Sequence, residues 1–228
     1  DSLNLYLKLL NINPAPYAGF MNFTDYKIIS SSPELFLEIS PLGLVRSSPI
    51  KGTAKLNELD KLLESNKERA EHIMIVDLIR NDLSRVAEKG SVEVSDLFQV
   101  ESYPTLHAIV STVAARKRGD AGIADVLRAL FPCGSVTGAP KIRAMELIDA
   151  VERDARGPYC GAIGRIGADG DAAFNVAIRT LRLTEIENGR GKAVLGVGGA
   201  IVADSEPRTE WREALLKGAF ARTSSPEH

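Results

Sequence analysis

The sequence predicts a mixed α/β (α+β) fold with largely antiparallel sheets. Short segments rich in β-branched and aromatic residues are joined by tight turns that contain Pro, Gly or Asp, which is typical of antiparallel strands. These strands are too numerous for a helix bundle, and the helical segments are too numerous for a sandwich of strands alone. No internal repeat is visible. With 228 residues the chain can bury a substantial core, as one large domain or two small ones.

The first half of the chain supplies short helices and strand pairs. Helices are expected at 3–10, 57–64 and 67–82. Strands are expected at 17–23, 26–30, 36–39, 43–46, 92–94 with a continuation at 99–103, and 107–113. Thr24-Asp25 and Pro41-Leu42 are interpreted as turns, and Ser32-Pro33 is expected to start a helical turn that carries Glu34. Residues 48–53 are interpreted as a loop.

The second half of the chain is also predicted to contain both helices and strands. Helices are expected at 124–131, 140–151 and 207–220, and strands at 159–167, 172–183 and 192–202. Pro140 suits the first turn of its helix, and Asp204 or Ser205 is expected to cap the last helix. Residues 168–171 are interpreted as the turn of a hairpin.

The helix at 67–82 carries carboxylates on one face. It contains no Gly or Pro and is apolar nearly all round, which predicts burial. Helical periodicity places Glu71, Leu78 and Asp82 on one face, with Glu68 one turn before Glu71. A buried carboxylate is costly unless a positive group lies opposite it. The partner is either an Arg or Lys side chain, as in a salt-bridged core helix, or a metal ion.

The last helix repeats this spacing, since Glu210 and Glu213 are three residues apart. Two helices that each present two carboxylates could share one hard cation, and Mg²⁺ prefers such oxygen ligands. The alternative is two solvated helix faces. Imidazole-rich or thiolate sites are not expected, because the chain has three histidines and none is near a cysteine in the sequence.

Three further features have both a functional and a structural interpretation. The segment 134–141 opens a helix and ends on Lys141, so it is either an anion-binding loop or a tight turn. Arg179 lies in an otherwise apolar strand, where it either binds a carboxylate through its fork or faces solvent at a strand end. Lys51 is either a solvated loop lysine or, if burial or nearby cations lower its pKa, a nucleophile or base.

Bulk properties restrict partners and location. A net charge of -2 gives no electrostatic case for nucleic acid or for anionic lipid as the main partner. No apolar run approaches the length of a membrane span, and the first residues do not resemble a signal peptide. Cys133 and Cys160 have no metal-like spacing and are expected to be free thiols. The expected location is therefore the cytoplasm.

Four motifs occur in order along the chain. They are Pro49-Ile50-Lys51-Gly52-Thr53, Ala70-Glu71-His72-x-Met74-x-Val76-Asp77-Leu78-x-Arg80-Asn81-Asp82, Gly134-Ser135-Val136-Thr137-Gly138-Ala139-Pro140-Lys141 and Gly199-Ala200-Ile201-Val202-Ala203-Asp204-Ser205. Together they resemble the chorismate-utilising enzymes, which include the component I chains of anthranilate synthase and aminodeoxychorismate synthase, isochorismate synthase and salicylate synthase. The resemblance covers nearly the whole chain and implies a large two-sheet antiparallel sandwich flanked by helices.

Within that family the residue at the position of Lys51 separates subgroups. Aminodeoxychorismate synthases of the lysine type carry Lys there, whereas anthranilate synthases usually carry Ala. The resemblance therefore implies that Lys51 attacks C2 of chorismate as the C4 hydroxyl leaves, after which ammonia adds at C4 and the lysine is expelled. The product, 4-amino-4-deoxychorismate, leads to para-aminobenzoate and folate. Anthranilate synthase component I is the alternative.

The resemblance also implies roles for other residues. Glu34 matches the general acid that protonates the departing hydroxyl, and His107 matches a histidine near the substrate ring. The implied metal residues are Glu71 and Glu213 as direct Mg²⁺ ligands, with Glu68 and Glu210 as outer carboxylates linked through water. The implied substrate-binding residues are Gly52, Thr53, Thr137, Tyr159, Arg179, Gly198 and Gly199.

Two departures from the family pattern affect these expectations. The family domain normally has more chain ahead of Asp1, so residues 1–228 are expected to be a chorismate-binding catalytic domain that lacks the N-terminal portion. A non-catalytic fragment that binds chorismate or an amidotransferase is a further alternative. The chain also lacks the Gly-x-Cys-x-Gly pattern of a glutaminase. Ammonia is therefore expected from solution or from a separate glutamine amidotransferase subunit.

Overall fold

The computed structural model describes residues 1–54, 56–64, 66–102, 107–188 and 190–221. Its α-helices are α1 (Ser2–Ile12), α2 (Leu59–Glu64), α3 (Asn66–Ser84), α4 (Ile123–Leu130), α5 (Lys141–Val151) and α6 (Pro207–Lys217). Its strands are β1 (Tyr17–Asn22), β2 (Tyr26–Ser32), β3 (Leu35–Ile39), β4 (Leu44–Ser48), β5 (Ile50–Ala54), β6 (Glu93–Ser102), β7 (His107–Arg116), β8 (Ala162–Ile166), β9 (Ala172–Val176), β10 (Thr180–Glu187) and β11 (Arg190–Leu195). Short 3-10 turns lie at Gly134–Val136 and Ala219–Ala221.

The predicted mixed fold with antiparallel sheets is confirmed. The chain forms two compact units. The first unit contains Asp1–Pro33, Arg156–Ile163 and the residues from Asn175 onward. The second unit contains Glu34–Ala155 and Gly164–Phe174.

The first unit is built on a four-stranded antiparallel sheet in the order β1-β2-β10-β11. The pairing places one apolar row across all four strands, made of Phe20, Ile29, Leu181 and Leu195. Leu9 of α1 is fully buried in the core cluster to which this row belongs. The amphipathic pattern that predicts α1 therefore reflects the packing of this helix on the sheet.

The second unit holds a seven-stranded sheet in the order β5-β7-β4-β3-β9-β8, with β6 also paired to β7, and the unit boundary falls within β8 and β9. Strand β7 pairs with β4, β5 and β6. Its buried apolar residues explain this central place, because a strand covered on both faces requires a nearly continuous apolar run. Helix α3 packs on β5 and β7. The apolar side chains that α3 buries are Ile75, Val76, Ile79 and Leu83.

Three predictions in the first half are wrong. Ser32 does not start a helical turn but ends β2 paired with Tyr17, since the residue before a proline disfavours the helical conformation. Residues 50–54 form β5 rather than a loop, because β7 offers them a pairing partner. Helix α3 is not buried all round, because Ile73 is 45% exposed.

The second half also departs from expectation at strand ends. The predicted strand 172–183 is divided between the two sheets, with a break at 177–179 where Arg179 takes a φ of 49°. Strand β11 ends at Leu195 rather than at 202. Glu206, and neither Asp204 nor Ser205, stands at the N-cap of α6, and its side chain makes no capping hydrogen bond. None of the helices in the described part of the chain combines the length and apolar character that spanning a membrane requires.

Candidate active site

Lys51 lies on a β-bulge in the second unit. Ile50 pairs with Val110 and Thr53 with Ala108, so β5 has one residue more than β7 over this interval. Gly52 supplies the φ of 77° that the bulge uses, a conformation in which glycine is not strained. A bulge turns side chains away from the regular alternation of the strand. The half-buried Lys51 is therefore aimed by a specific backbone feature rather than carried on a solvated loop.

Glu34 is a buried acid close to Lys51. It directly precedes β3 in the sequence, and the residue is only 4% exposed. Burial raises the pKa of Glu34 to about 7, because a charged carboxylate is poorly solvated there. Hydrogen bonds from the Ser135 side chain and the Ile50 backbone, together with the positive charge of Lys51, lower the pKa and offset part of this effect. A carboxyl group of this kind can hold or release a proton near neutral pH.

The segment 134–141 supplies Ser135 and packs tightly on α3. A side chain at Gly134 would lie 2.7 Å from a methyl carbon of Leu78, so glycine permits the close approach. The Ser135 hydroxyl lies 3.2 Å from the Cys133 thiol, and burial raises the pKa of that thiol to about 12. The Thr137 hydroxyl donates to the Cys133 carbonyl at 3.1 Å. Thr137, predicted to bind substrate, thus stabilises the turn itself.

Lys141 is the cationic partner that the carboxylate face of α3 requires. Its Nζ lies 2.5 Å from Asp82 Oδ2 and 2.8 Å from the Leu130 carbonyl. Both side chains are largely buried, at 13% exposure for Lys141 and 7% for Asp82. Burial raises the pKa of Asp82, and the hydrogen bond and charge of Lys141 offset part of that rise. The lysine of the segment 134–141 therefore binds a carboxylate of the same chain.

Replacing Lys141 by methionine is expected to lower the free energy of unfolding by about 3–5 kcal/mol, because Asp82 is then left buried without a partner. Urea unfolding followed by circular dichroism measures the change. The exposed pair Asp77 and Arg80 on the same helix provides the matched control, and Arg80→Met should change stability by less than about 1 kcal/mol. Equal effects of the two substitutions would contradict this assignment.

His107 borders the strand that carries Lys51. It pairs with Ala54 at the start of β7. Its Nδ1 lies 2.9 Å from the Ser102 hydroxyl and its Nε2 lies 3.2 Å from the Leu56 carbonyl. Because a carbonyl only accepts, Nε2 carries the proton and Nδ1 accepts from Ser102. His107 is thus held in one tautomer at the end of β5, close to exposed Thr53.

His72 is a residue of this region that the sequence patterns do not single out as functional. It is 1% exposed, and its Nε2 lies 2.6 Å from the hydroxyl of Ser111 on β7. Burial lowers the pKa of His72 to about 4, with the charge of Lys51 acting in the same direction. The sequence signal that identifies His72 is its polar ring, which directly precedes the apolar run of α3. A polar ring that is buried there needs a hydrogen-bond partner.

The first unit contains the other predicted substrate-binding residues. A side chain at Gly196 would collide with the ring of Tyr159, and one at Gly198 would lie 3.0 Å from the Tyr159 hydroxyl. At Gly199 it would lie 3.4 Å from Glu210. The glycines after β11 therefore let the backbone pass close to Tyr159 and α6, which explains why this segment is not a regular strand.

Arg179 occupies the turn between β9 and β10 and is half-buried. Burial lowers the pKa of its guanidinium, and Nη1 lies 3.4 Å from Asn13 Oδ1. Arg179 therefore lies neither within a regular strand nor at a strand end that faces solvent. A partly desolvated guanidinium of this kind suits a carboxylate ligand.

The four predicted metal carboxylates are distributed over two helices, one in each unit. Glu68 and Glu71 lie half-buried on α3. On α6, Glu213 pairs with Lys217 at 2.6 Å, and Glu210 accepts a hydrogen bond from Ser205 at 2.6 Å. Carboxylate oxygens are chemically suited to Mg²⁺. Within either unit taken alone, the described residues contain no group of three or more His, Cys, Asp or Glu that could hold a metal ion. The roles of all these site residues stay predictions.

The family of chorismate binding enzymes matches residues 1–223. The chain belongs to this family of chorismate binding enzymes. The predicted resemblance is thereby confirmed, and Cys133 and Cys160 are free as expected.

The relatives and solved structures that this chain resembles include proteins named aminodeoxychorismate synthase and anthranilate synthase. The chain is 46% identical over 227 residues to a chloroplastic aminodeoxychorismate synthase of Arabidopsis thaliana, covering 95% of this chain and 24% of that protein. It is 42% identical over 225 residues to aminodeoxychorismate synthase component 1 of Salmonella typhimurium, covering 95% and 48%. The crystal structure of anthranilate synthase component I from Streptococcus pneumoniae matches with a TM-score of 0.84 and 38% identity, covering 97% and 50%. The chain thus spans about a quarter to a half of these relatives.

Proposed function

We propose that this chain catalyses the amination of chorismate at C4 to 4-amino-4-deoxychorismate, a precursor of para-aminobenzoate and folate. The observation that carries the proposal is the placement of Lys51 beside Glu34, a buried acid with a pKa of about 7. The names of the relatives that are 42% and 46% identical support it. A lysine nucleophile with a proton donor next to it is what displacement of a hydroxyl through a covalent intermediate requires.

The proposed reaction has two displacements. The uncharged amine of Lys51 forms a bond to C2 of chorismate, the ring double bonds shift, and the C4 hydroxyl leaves as water with the proton of Glu34. Ammonia then bonds to C4, the double bonds shift back and the Lys51 amine leaves C2, and the ammonium group formed at C4 returns one proton to Glu34. The sum is chorismate and ammonia giving 4-amino-4-deoxychorismate and water. Dividing one difficult substitution into two steps lowers the barrier of each.

Substrate binding follows from charge. Chorismate has two carboxylates, and the partly desolvated Arg179 suits the one on the enolpyruvyl group, with Tyr159, Gly198 and Gly199 beside it. Gly52 and Thr53 follow Lys51 directly in the bulge and are proposed to line the pocket. Thr137 is proposed to contribute through the turn that it stabilises.

Mg²⁺ is proposed as the cofactor, with Glu71 and Glu213 as direct ligands and Glu68 and Glu210 as outer carboxylates. When bound, the ion would neutralise the second carboxylate of chorismate. Ammonia is proposed to come from a glutamine amidotransferase subunit, a partner suggested by the designation component 1 of one relative. The proposed location is the cytoplasm.

The test is incubation with chorismate, Mg²⁺ and ammonium, followed by mass spectrometry. We expect 4-amino-4-deoxychorismate, its loss on chelation with EDTA, and its return on addition of Mg²⁺. Anthranilate synthase is a second candidate, favoured by the similarity to a solved component I structure of that name. Anthranilate as the sole product would overturn the proposal in its favour. Calorimetric binding of chorismate with no product would favour a non-catalytic binding role.

A further inference from the structure

The segment between α4 and α5 begins and ends at one ammonium group. Lys141 Nζ donates to the carbonyl of Leu130, the last residue of α4, at 2.8 Å. The last carbonyls of a helix lack partners within the helix, and a cation near that end is favourable. Lys141 is also the first residue of α5. The residues between these two, 131–140, are therefore closed into a loop, which we call the 131–140 loop.

The same ammonium group ties the 131–140 loop to α3. Its Nζ lies 2.5 Å from Asp82 Oδ2, and both side chains are largely buried. Because little water screens this pair, its attraction is stronger than that of an ion pair on the surface. One lysine thus joins the middle of the second unit at three places, on α3, at the end of α4 and at the start of α5.

Helix α5 has little apolar packing of its own to hold its start. Every residue of α5 lies in the described part of the chain, and none of its apolar side chains is buried. Ile142, which follows Lys141, is 77% exposed. A helix that buries no apolar face gains little stabilisation from packing. The position of the start of α5 therefore depends on Lys141.

Contacts inside the 131–140 loop are local. The Thr137 hydroxyl donates to the Cys133 carbonyl at 3.1 Å, and the Thr137 backbone N–H donates to the Gly134 carbonyl at 3.3 Å. A side chain at Gly138 would lie 3.1 Å from the Cβ of Ala144, so the end of the loop packs closely on α5. The turn at Thr137 therefore keeps its own shape, and its place in the second unit follows that of α5.

We propose that Lys141 is a positioning residue: by joining Asp82 to the Leu130 carbonyl it closes the 131–140 loop on α3 and holds the turn at Thr137 in place for substrate binding. This inference rests on the proposed function, in which Thr137 contributes to the chorismate site through this turn. A loop that occupies its binding position only about a tenth of the time weakens the apparent affinity about tenfold. Lys141 therefore acts on KM without touching the substrate.

A double variant separates positioning from stability. Lys141→Met alone leaves Asp82 buried without a cation, so it also destabilises the fold. Asp82→Leu combined with Lys141→Met removes both charges, and apolar replacement of a buried ion pair is often neutral or stabilising. The bond to the Leu130 carbonyl is still missing, because methionine has no donor. If Lys141 acts only through stability, the double variant should behave like the original chain.

We expect the double variant to unfold at a urea concentration close to that of the original chain, while its KM for chorismate rises about tenfold and its kcat changes by less than about threefold. Arg143→Met is the matched control, because Arg143 lies on the same helix in an exposed pair with Glu146. It should leave KM within about twofold. A KM that returns to the original value together with stability would overturn the proposal.

Hydrogen–deuterium exchange tests the loop without substrate. The amides of Val136 and Thr137, which bond to carbonyls within the loop, should exchange at least about tenfold faster in the double variant, whereas the amides of β7 should keep their original rate. Loop amides that exchange at the original rate would contradict the role of Lys141. If the chain makes no 4-amino-4-deoxychorismate, the proposed function fails, and the exchange rates still decide whether Lys141 closes the loop.

Discussion

Lys51→Ala is expected to reduce kcat for C4 amination by on the order of 10³-fold or more, as loss of a covalent nucleophile generally does. The fold should change little, because the bulge is formed by the backbone of Ile50, Gly52 and Thr53 rather than by the lysine side chain. Product formation from chorismate and ammonium, measured by mass spectrometry, gives the rate. Thermal unfolding checks that the variant is folded.

Lys192→Ala is the matched control, because Lys192 is an exposed lysine that also lies on a strand, β11. It should leave the rate within about twofold of the original chain. The substitution at Lys51 also distinguishes the two candidate reactions, since formation of anthranilate needs no lysine nucleophile. A Lys51→Ala variant that still forms 4-amino-4-deoxychorismate at the original rate would contradict the covalent mechanism.

Local patterns account for what the sequence predicts well. The α3 helix lacks glycine and proline over its length, and the turn at Pro41-Leu42 lies between two apolar runs, so neighbouring residues suffice to specify them. The strand β5 is different. It is five residues long and contains Gly52, and it becomes a strand only because β7 pairs with it. Short strands of this kind depend on partners that are distant in sequence.

The sequence predicts which chemical groups the site contains, but it does not predict which of these groups contact each other. A buried carboxylate face on α3 predicts a cation, yet the sequence cannot choose between Lys141, an arginine and a metal ion as the partner of Asp82. The pKa of Glu34 is raised by burial and lowered in part by Ser135 and Lys51, and the fold brings these groups together from separate segments. Burial and distance are properties of the fold, and spacing along one helix or strand does not contain them.

Glu34 also affects stability, and the sign of this effect follows from its pKa. The folded state binds the proton more tightly than the unfolded chain, whose glutamate pKa is about 4.5. The contribution of Glu34 to stability is therefore greatest below that pKa and falls as pH rises through the window from about 4.5 to about 7. Glu34→Gln should remove this fall. Urea unfolding of both proteins across that pH range measures it without any substrate.

Glu34→Gln is further expected to lower kcat by about 10²- to 10⁴-fold, because glutamine cannot protonate the departing C4 hydroxyl. In the original chain the slope of log kcat against pH should fall by about one above a pH of about 7, where Glu34 loses its proton. The residual rate of the variant should lack that fall. Glu38→Gln on β3 removes a partly exposed glutamate that pairs with Arg46, and it should leave both the rate and its pH profile unchanged. An alkaline fall that persists in Glu34→Gln would assign the essential proton to another group, since the variant has no carboxyl at this position to titrate.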